Sequence, residues 1–229
     1  MITQSFLLLI ELIHRLSDLG NMSFKVSIVN NAACILIATF LSLGVAQGND
    51  WRLIKEQQGI QIHYRYPEGS RYRQYQGEVV VNAKPDRIVR FLQDLEKISE
   101  WHYRTKQATV LNIIDVTNAY VHIINTPPWP IRARDVVCKV SLRIGDSNNQ
   151  IRITLTSVDN KMPPTEQYIR IPDLAAEWLI QPLSDNSSSV RYQVHMDPGG
   201  NIPVWLFNNF SMDVPLLSLI KLRQLLNSD

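Results

Sequence analysis

The chain has 229 residues, with 23 Lys and Arg against 21 Asp and Glu, a net charge of +2, and 45% apolar residues. So even a balance offers no clustered basic face for nucleic acid. The length and apolar share are enough for one domain with a sizeable core.

Residues 1–21 hold an apolar patch ahead of Met22 that a secretory signal does not need. Met22 is read as the start, and 1–21 as a mis-assigned upstream extension. Residues 22–46 then have the order of a signal peptide: Lys25, an apolar run from Ala32 to Leu43, and the small residues Gly44 and Ala46 around Val45. The run falls short of the ~20 residues that span a bilayer, so removal is expected rather than anchoring. The reading predicts an exported protein, periplasmic or secreted, whose mature domain occupies 47–229. Cys34 leaves with the signal, so Cys138 alone remains and no intramolecular disulfide is possible.

Residues 51–57, "WRLIKEQ", read as a short helix ended by Gly59. "IQIHYRY" (60–66) alternates as a half-buried strand does, and "PEGS" turns it into a second strand over roughly 71–81. Pro85 opens a helix with Ile88, Phe91, Leu92 and Leu95 on one stripe, and Trp101 follows just beyond it. Strands are predicted at 108–116 and 119–126, and at 134–142 with Arg134, Val136, Cys138, Val140 and Leu142 on one face. A strand at 150–158 turns Ile151, Ile153 and Leu155 inward. "EQYIRIP", "AEWLIQP" and "SVRYQVHM" continue the pattern. One-sided alternation over this many strands predicts an antiparallel sheet with one wet face.

The last strand meets Asp197-Pro198-Gly199-Gly200, a cluster of turn-formers. From Pro203 to Leu226 there is no glycine and only a thin polar face, which predicts a long helix laid across the inner face of the sheet. Pro215 cannot donate to the carbonyl of Ser211, so that helix should bend or loosen near Ser211–Pro215.

Chemistry is sparse. His14, His63, His102, His122 and His195 are scattered, with no His at i+4 and no Cys at metal spacing. His63, His122 and His195 fall on the polar parity of their strands and read as solvated. Cys138 lies on an inward face, where an inert thiol is the expectation. There is no Gly-rich phosphate loop and no G-x-S-x-G elbow. No catalytic residue, metal or cofactor is expected.

Helix, strands, helix, a run of strands and a closing helix is the order of the helix-grip fold. Three stretches resemble the START lipid-transfer family: "PPWPIRARDVV" (127–137), "YIRIPDLAAEWLIQPL" (168–183) and "DPGGNIPVWLFNN" (197–209). The resemblance runs from about 51 to 226. It implies an α+β helix-grip fold, in which a curved antiparallel sheet wraps a long C-terminal helix around an apolar tunnel that holds one lipid. The implied lid is the Trp129 loop together with Trp205, Phe207 and Phe210 of the closing helix. Trp101 and Trp178 complete the aromatic part of the implied ligand site.

Some sterol-binding relatives place a charged pair on two neighbouring strands, at positions that align with Val121 and Val140. The apolar pair here leaves the ligand class open among phospholipid, sterol and related molecules. Arg134 and Arg170 remain as polar anchors, each with the alternative of pairing a nearby acid such as Asp135, Asp173 or Glu177. The function implied is a monomeric lipid-binding or lipid-transfer protein that touches a membrane transiently. The alternatives are a helix-grip enzyme of the aromatase or cyclase kind and a module that senses its ligand without transferring it.

Overall fold

The computed structural model describes residues 50–145 and 149–228, so the expected extension 1–21 and signal peptide 22–46 lie outside the described residues. The described strands begin with β1 (Arg52–Gln57), paired antiparallel to β2 (Ile60–Arg65). Residues 51–57 are therefore a strand and not the helix expected. Gln58 and Gly59 stand at φ 53° and 74°, the pair of positive angles that a two-residue hairpin turn requires. Gly59 thus closes a hairpin instead of ending a helix.

After β3 (Gln74–Val81) come helix α1 (Pro85–Gln93), a 3-10 turn (Leu95–Lys97) and the single-turn helix α2 (Ile98–Trp101). Strands β4 (Thr105–Ile113), β5 (Asn118–Asn125), β6 (Arg134–Ile144) and β7 (Ile151–Ser157) form a meander. The short β8 (Ile169–Arg170) precedes β9 (Asp173–Ser184) and β10 (Ser187–Asp197). Among the described residues these make one sheet in the order β1-β2-β3-β10-β9-β7-β6-β5-β4. All its pairings are antiparallel except that β8 runs parallel to β6.

The inward parity read from the sequence is the buried one. Val136 and Cys138 on β6, and Ile180 on β9, are fully buried, and Ile153, Trp178 and Tyr192 nearly so.

The closing helix is two helices, α3 (Val204–Ser211) and α4 (Asp213–Asn227), separated at Met212. The interruption falls where Pro215 withholds the N–H that the Ser211 carbonyl would accept from. Ser211 Oγ meanwhile donates back to Phe207 O at 2.7 Å. Helix α4 buries Leu216, Leu219 and Leu222 completely and packs on β2, β3 and β10. Each such leucine contributes about 1.5–3 kcal/mol. At Gly77 the packing is tight: a Cβ there would fall 2.8 Å from Leu219 Cδ1 and 2.6 Å from Ile62 Cδ1. The helix thus covers the β1–β3 side of the inner face, while the β4–β7 side is left to α2, α3 and the loops.

Between β10 and α3 the chain turns at Gly199 and Gly200, with φ of 64° and 63°. A Cβ on Gly199 would stand 2.7 Å from the carbonyl oxygen of Arg170, so glycine is needed there for room as well as for angle. Asp197 Oδ1 accepts from Gly199 N at 2.9 Å and fixes the turn. Through this corner α3 swings from the end of β10 onto the inner face of the sheet.

Candidate functional site

The part of the inner face that α4 leaves uncovered lines a partly open cavity of about 410 Å³. Its walls are Val121, Val136, Val140, Ile153 and Leu155 from the sheet, Trp101 from α2, and Phe207 and Phe210 from α3. An apolar concavity of a few hundred Å³ with a few polar groups is the usual form of a small-molecule site.

One aromatic wall is built in layers. Trp178 on β9 stacks on Tyr192 of β10, with ring centroids 3.9 Å apart and planes 9° from parallel. Trp101 meets Trp178 edge-on at 5.7 Å, and His102 packs at 5.7 Å from Tyr192. A chain of hydrogen bonds runs through this wall. Thr105 Oγ1 donates to Asn125 Oδ1 at 3.0 Å, so it must accept from His102 Nδ1 at 2.8 Å. That assigns the imidazole proton to Nδ1 and leaves Nε2 to accept from the Tyr192 hydroxyl at 3.2 Å. Burial pushes His102 down to about 4. It also pushes Tyr192 well up, with Cys138 adding to the rise. Both groups are neutral across the physiological range. Trp101 Nε1 is buried without a hydrogen-bond partner among the described residues. Cys138 is fully buried, and burial pushes its thiol up to about 12, so it is inert.

At one end of this wall stands Arg134, 4% exposed, opposite Asn125 in the β5–β6 ladder. Its Nε donates to Pro198 O at 3.3 Å and its Nη1 to Arg132 O. Arg170 behaves differently. It grips Asp135 through two bonds, Nε to Oδ1 at 3.0 Å and Nη2 to Oδ2 at 2.9 Å, and also donates to Met162 O. His122 Nε2 bonds the same Asp135 Oδ2 at 3.0 Å. Burial alone would raise the Asp135 carboxyl, but the bonds from Arg170 and His122 outweigh it and hold the group below its ordinary value.

Of the residues expected at the ligand site, Trp101, Val121, Arg134, Val140, Trp178, Phe207 and Phe210 line the cavity. Arg170 is committed to Asp135 instead, while Trp129 and Trp205 are 92% and 72% exposed and point to solvent. Sequence reading missed His102, Thr105, Asn125 and Tyr192 as a connected set. Tyr192 had the right parity, but His102 follows α2 with no periodicity to place it. The reading of His122 and His195 as solvated is corrected: their side chains are only 11% and 12% exposed. Parity gives the face of a strand and does not reveal that a loop covers it. His195 Nε2 lies 2.9 Å from Ser70 Oγ in the β2–β3 connection.

A family model described as START domain matches residues 36–227. An uncharacterized protein of Pseudomonas aeruginosa is 32% identical over 186 residues, covering 81% of this chain and 91% of its own length. A STAR-related lipid transfer protein from Xanthomonas axonopodis, solved as a fragment, superposes with a TM-score of 0.71 at 31% identity, over 77% of this chain and 98% of that one. Human StAR-related lipid transfer protein 5 shares the fold, with a TM-score of 0.69 at 15% identity, over 87% of this chain and 97% of that one.

Proposed function

Since this chain belongs to the START domain family, we propose that it is a lipid-binding protein that encloses one hydrophobic ligand between its sheet and its closing helices and carries it between membranes. The observation that carries this reading is the cavity of about 410 Å³ with an aliphatic and aromatic wall, left where α4 stops covering the sheet. A domain has no structural need to leave such apolar surface unfilled, because native interiors pack with few voids larger than a water. The similarity to the lipid transfer protein of Xanthomonas axonopodis supports the same reading.

Binding without turnover fits the chemistry of the wall. A general acid or base works best with a pKa near the working pH. Burial moves the pKa values of His102 and Tyr192 away from neutral pH in opposite directions, so both groups stay uncharged. Membrane contact is assigned to Trp129 and Trp205. Trp129 stands two residues beyond Pro127, and Trp205 two before Phe207, both of which line the cavity. Indole rings favour the membrane–water interface.

Native mass spectrometry of the purified chain, with extraction of whatever is bound, tests the reading. The expected result is one lipid per chain, together with faster movement of a fluorescent lipid between vesicles. A chain that carries and takes up no lipid would overturn it, and a protein-dependent product from an extracted lipid pool would overturn the absence of turnover.

A further inference from the structure

The cavity wall has spent its polar groups unevenly. In the chain from Tyr192 through His102 and Thr105 to Asn125, His102 Nε2, Thr105 Oγ1 and Asn125 Oδ1 each accept one hydrogen bond. What remains unspent is donor capacity. Neither Asn125 Nδ2 nor Arg134 Nη2 has a hydrogen-bond partner among the described residues. A wall that offers donors selects a ligand that brings acceptors.

Charge sharpens the selection. Arg134 is a buried cation, and among the described residues it forms no ion pair, in contrast to Arg170 on its doubly bonded carboxylate. Its two hydrogen-bond partners are backbone carbonyls. Buried charges are ordinarily paired. Arg104, also on the cavity wall, has no carboxylate partner either among the described residues, and its guanidinium stacks on Tyr103 at 4.9 Å. The register puts both cations at one end, because Thr105 pairs with Asn125 and Asn125 with Arg134. Asp115, the acid on the lining, sits at the other end beside the β4–β5 turn and accepts from Thr117 and Asn118.

Resting on the lipid-binding reading, we propose that the ligand is an amphiphile with an anionic head, a carboxylate or a phosphate monoester. Arg134 grips the head oxygens, and the apolar tail runs along Val121 and Val140 toward the Asp115 end. The guanidinium fork suits either oxyanion.

The test titrates the delipidated full chain with palmitate, hexadecyl phosphate and hexadecanol, read by native mass spectrometry and by the fluorescence of Trp101 and Trp178. At neutral pH at least one anion should bind ~10-fold or more tightly than the alcohol, and the stronger of the two identifies the head. Arg134→Gln should abolish that preference. The comparison on the unsubstituted chain needs no variant, so it holds even if Arg134→Gln fails to fold. Hexadecanol binding as tightly as both anions overturns the proposal alone, as does a preference that survives Arg134→Gln. Binding of none of the three, on a chain that takes up no other lipid, overturns the lipid-binding reading and this proposal with it.

Discussion

His102 carries the clearest pH signature in the protein. Its folded pKa of about 4 lies below the ~6.5 of an unperturbed histidine, so between those values the unfolded chain holds a proton that the folded chain refuses. Stability is therefore complete above pH ~6.5 and falls as the pH drops toward ~4, by about 3 kcal/mol from this one group. Burial of His195 also lowers its pKa and adds in the same direction. Thermal melts across this window should show the loss, and His102→Gln should flatten it. An unchanged slope in the variant would remove His102 from the account. The effect was not legible in the sequence, because it depends on burial of His102 against Trp178 and Tyr192, which arrive from other strands. Arg134 and Arg170 make the same point. Sequence left each as anchor or ion-pair partner, and only the parallel pairing of β8 with β6, which puts Arg170 beside Asp135, separates their roles.

Among the elements, the corner between β10 and α3 is the most constrained. Gly199 needs both a positive φ and the space that a Cβ would take from the Arg170 carbonyl, whereas Gly69 at φ 72° has nothing within 4 Å of such a Cβ. Gly199→Ala should therefore cost on the order of 1–3 kcal/mol. It should cost distinctly more than Gly69→Ala, which pays for backbone angle alone. Urea unfolding of the two variants checks the difference, and equal costs would mean the corner relaxes freely. This corner was readable, since four turn-formers in a row admit few other conformations. The break at Met212 was readable too, because the missing N–H of Pro215 is covalent and no packing restores it. The β1–β2 hairpin was not: Gly59 ends helices and closes hairpins alike, and the pairing partner decides which.

For the molecule as a whole, the distribution of aromatic rings separates holding a ligand from delivering it. Trp101 and Trp178 are buried in the wall, while Trp129 and Trp205 are exposed. Substitutions at exposed positions away from special contacts usually change stability by less than ~0.5 kcal/mol. The double variant Trp129→Ala, Trp205→Ala should thus keep its melting temperature and its bound lipid. On the proposed reading, transfer between vesicles slows by roughly tenfold, as loss of about 1.4 kcal/mol of membrane affinity implies. Transfer at an unchanged rate would detach these rings from membrane contact. The helix-grip architecture itself was legible from alternation and element order, since period-two patterning reports a one-sided sheet whatever its strand order. The cavity was expected only through the family resemblance, and patterning alone does not give it, because it depends on how far α4 reaches across that sheet.

The strand order also sets a timetable. Strand β3 finds its second partner in β10, with Gly77 opposite Tyr192 and Val79 opposite Val190. The hairpin strands β1–β3 are thus made early and joined to the rest of the sheet late. At synthesis rates of ~5–20 residues per second, β3 waits on the order of ten seconds with one edge unpaired. An open edge is a template for pairing with the wrong chain, and a charge on it is a common defence. Glu78 stands on that edge, and in the finished sheet it pairs with Arg191 and accepts a hydrogen bond from Ser189 of β10. On that ordering, the carboxylate that ends in an ordinary surface ion pair also keeps the open edge of the nascent chain charged.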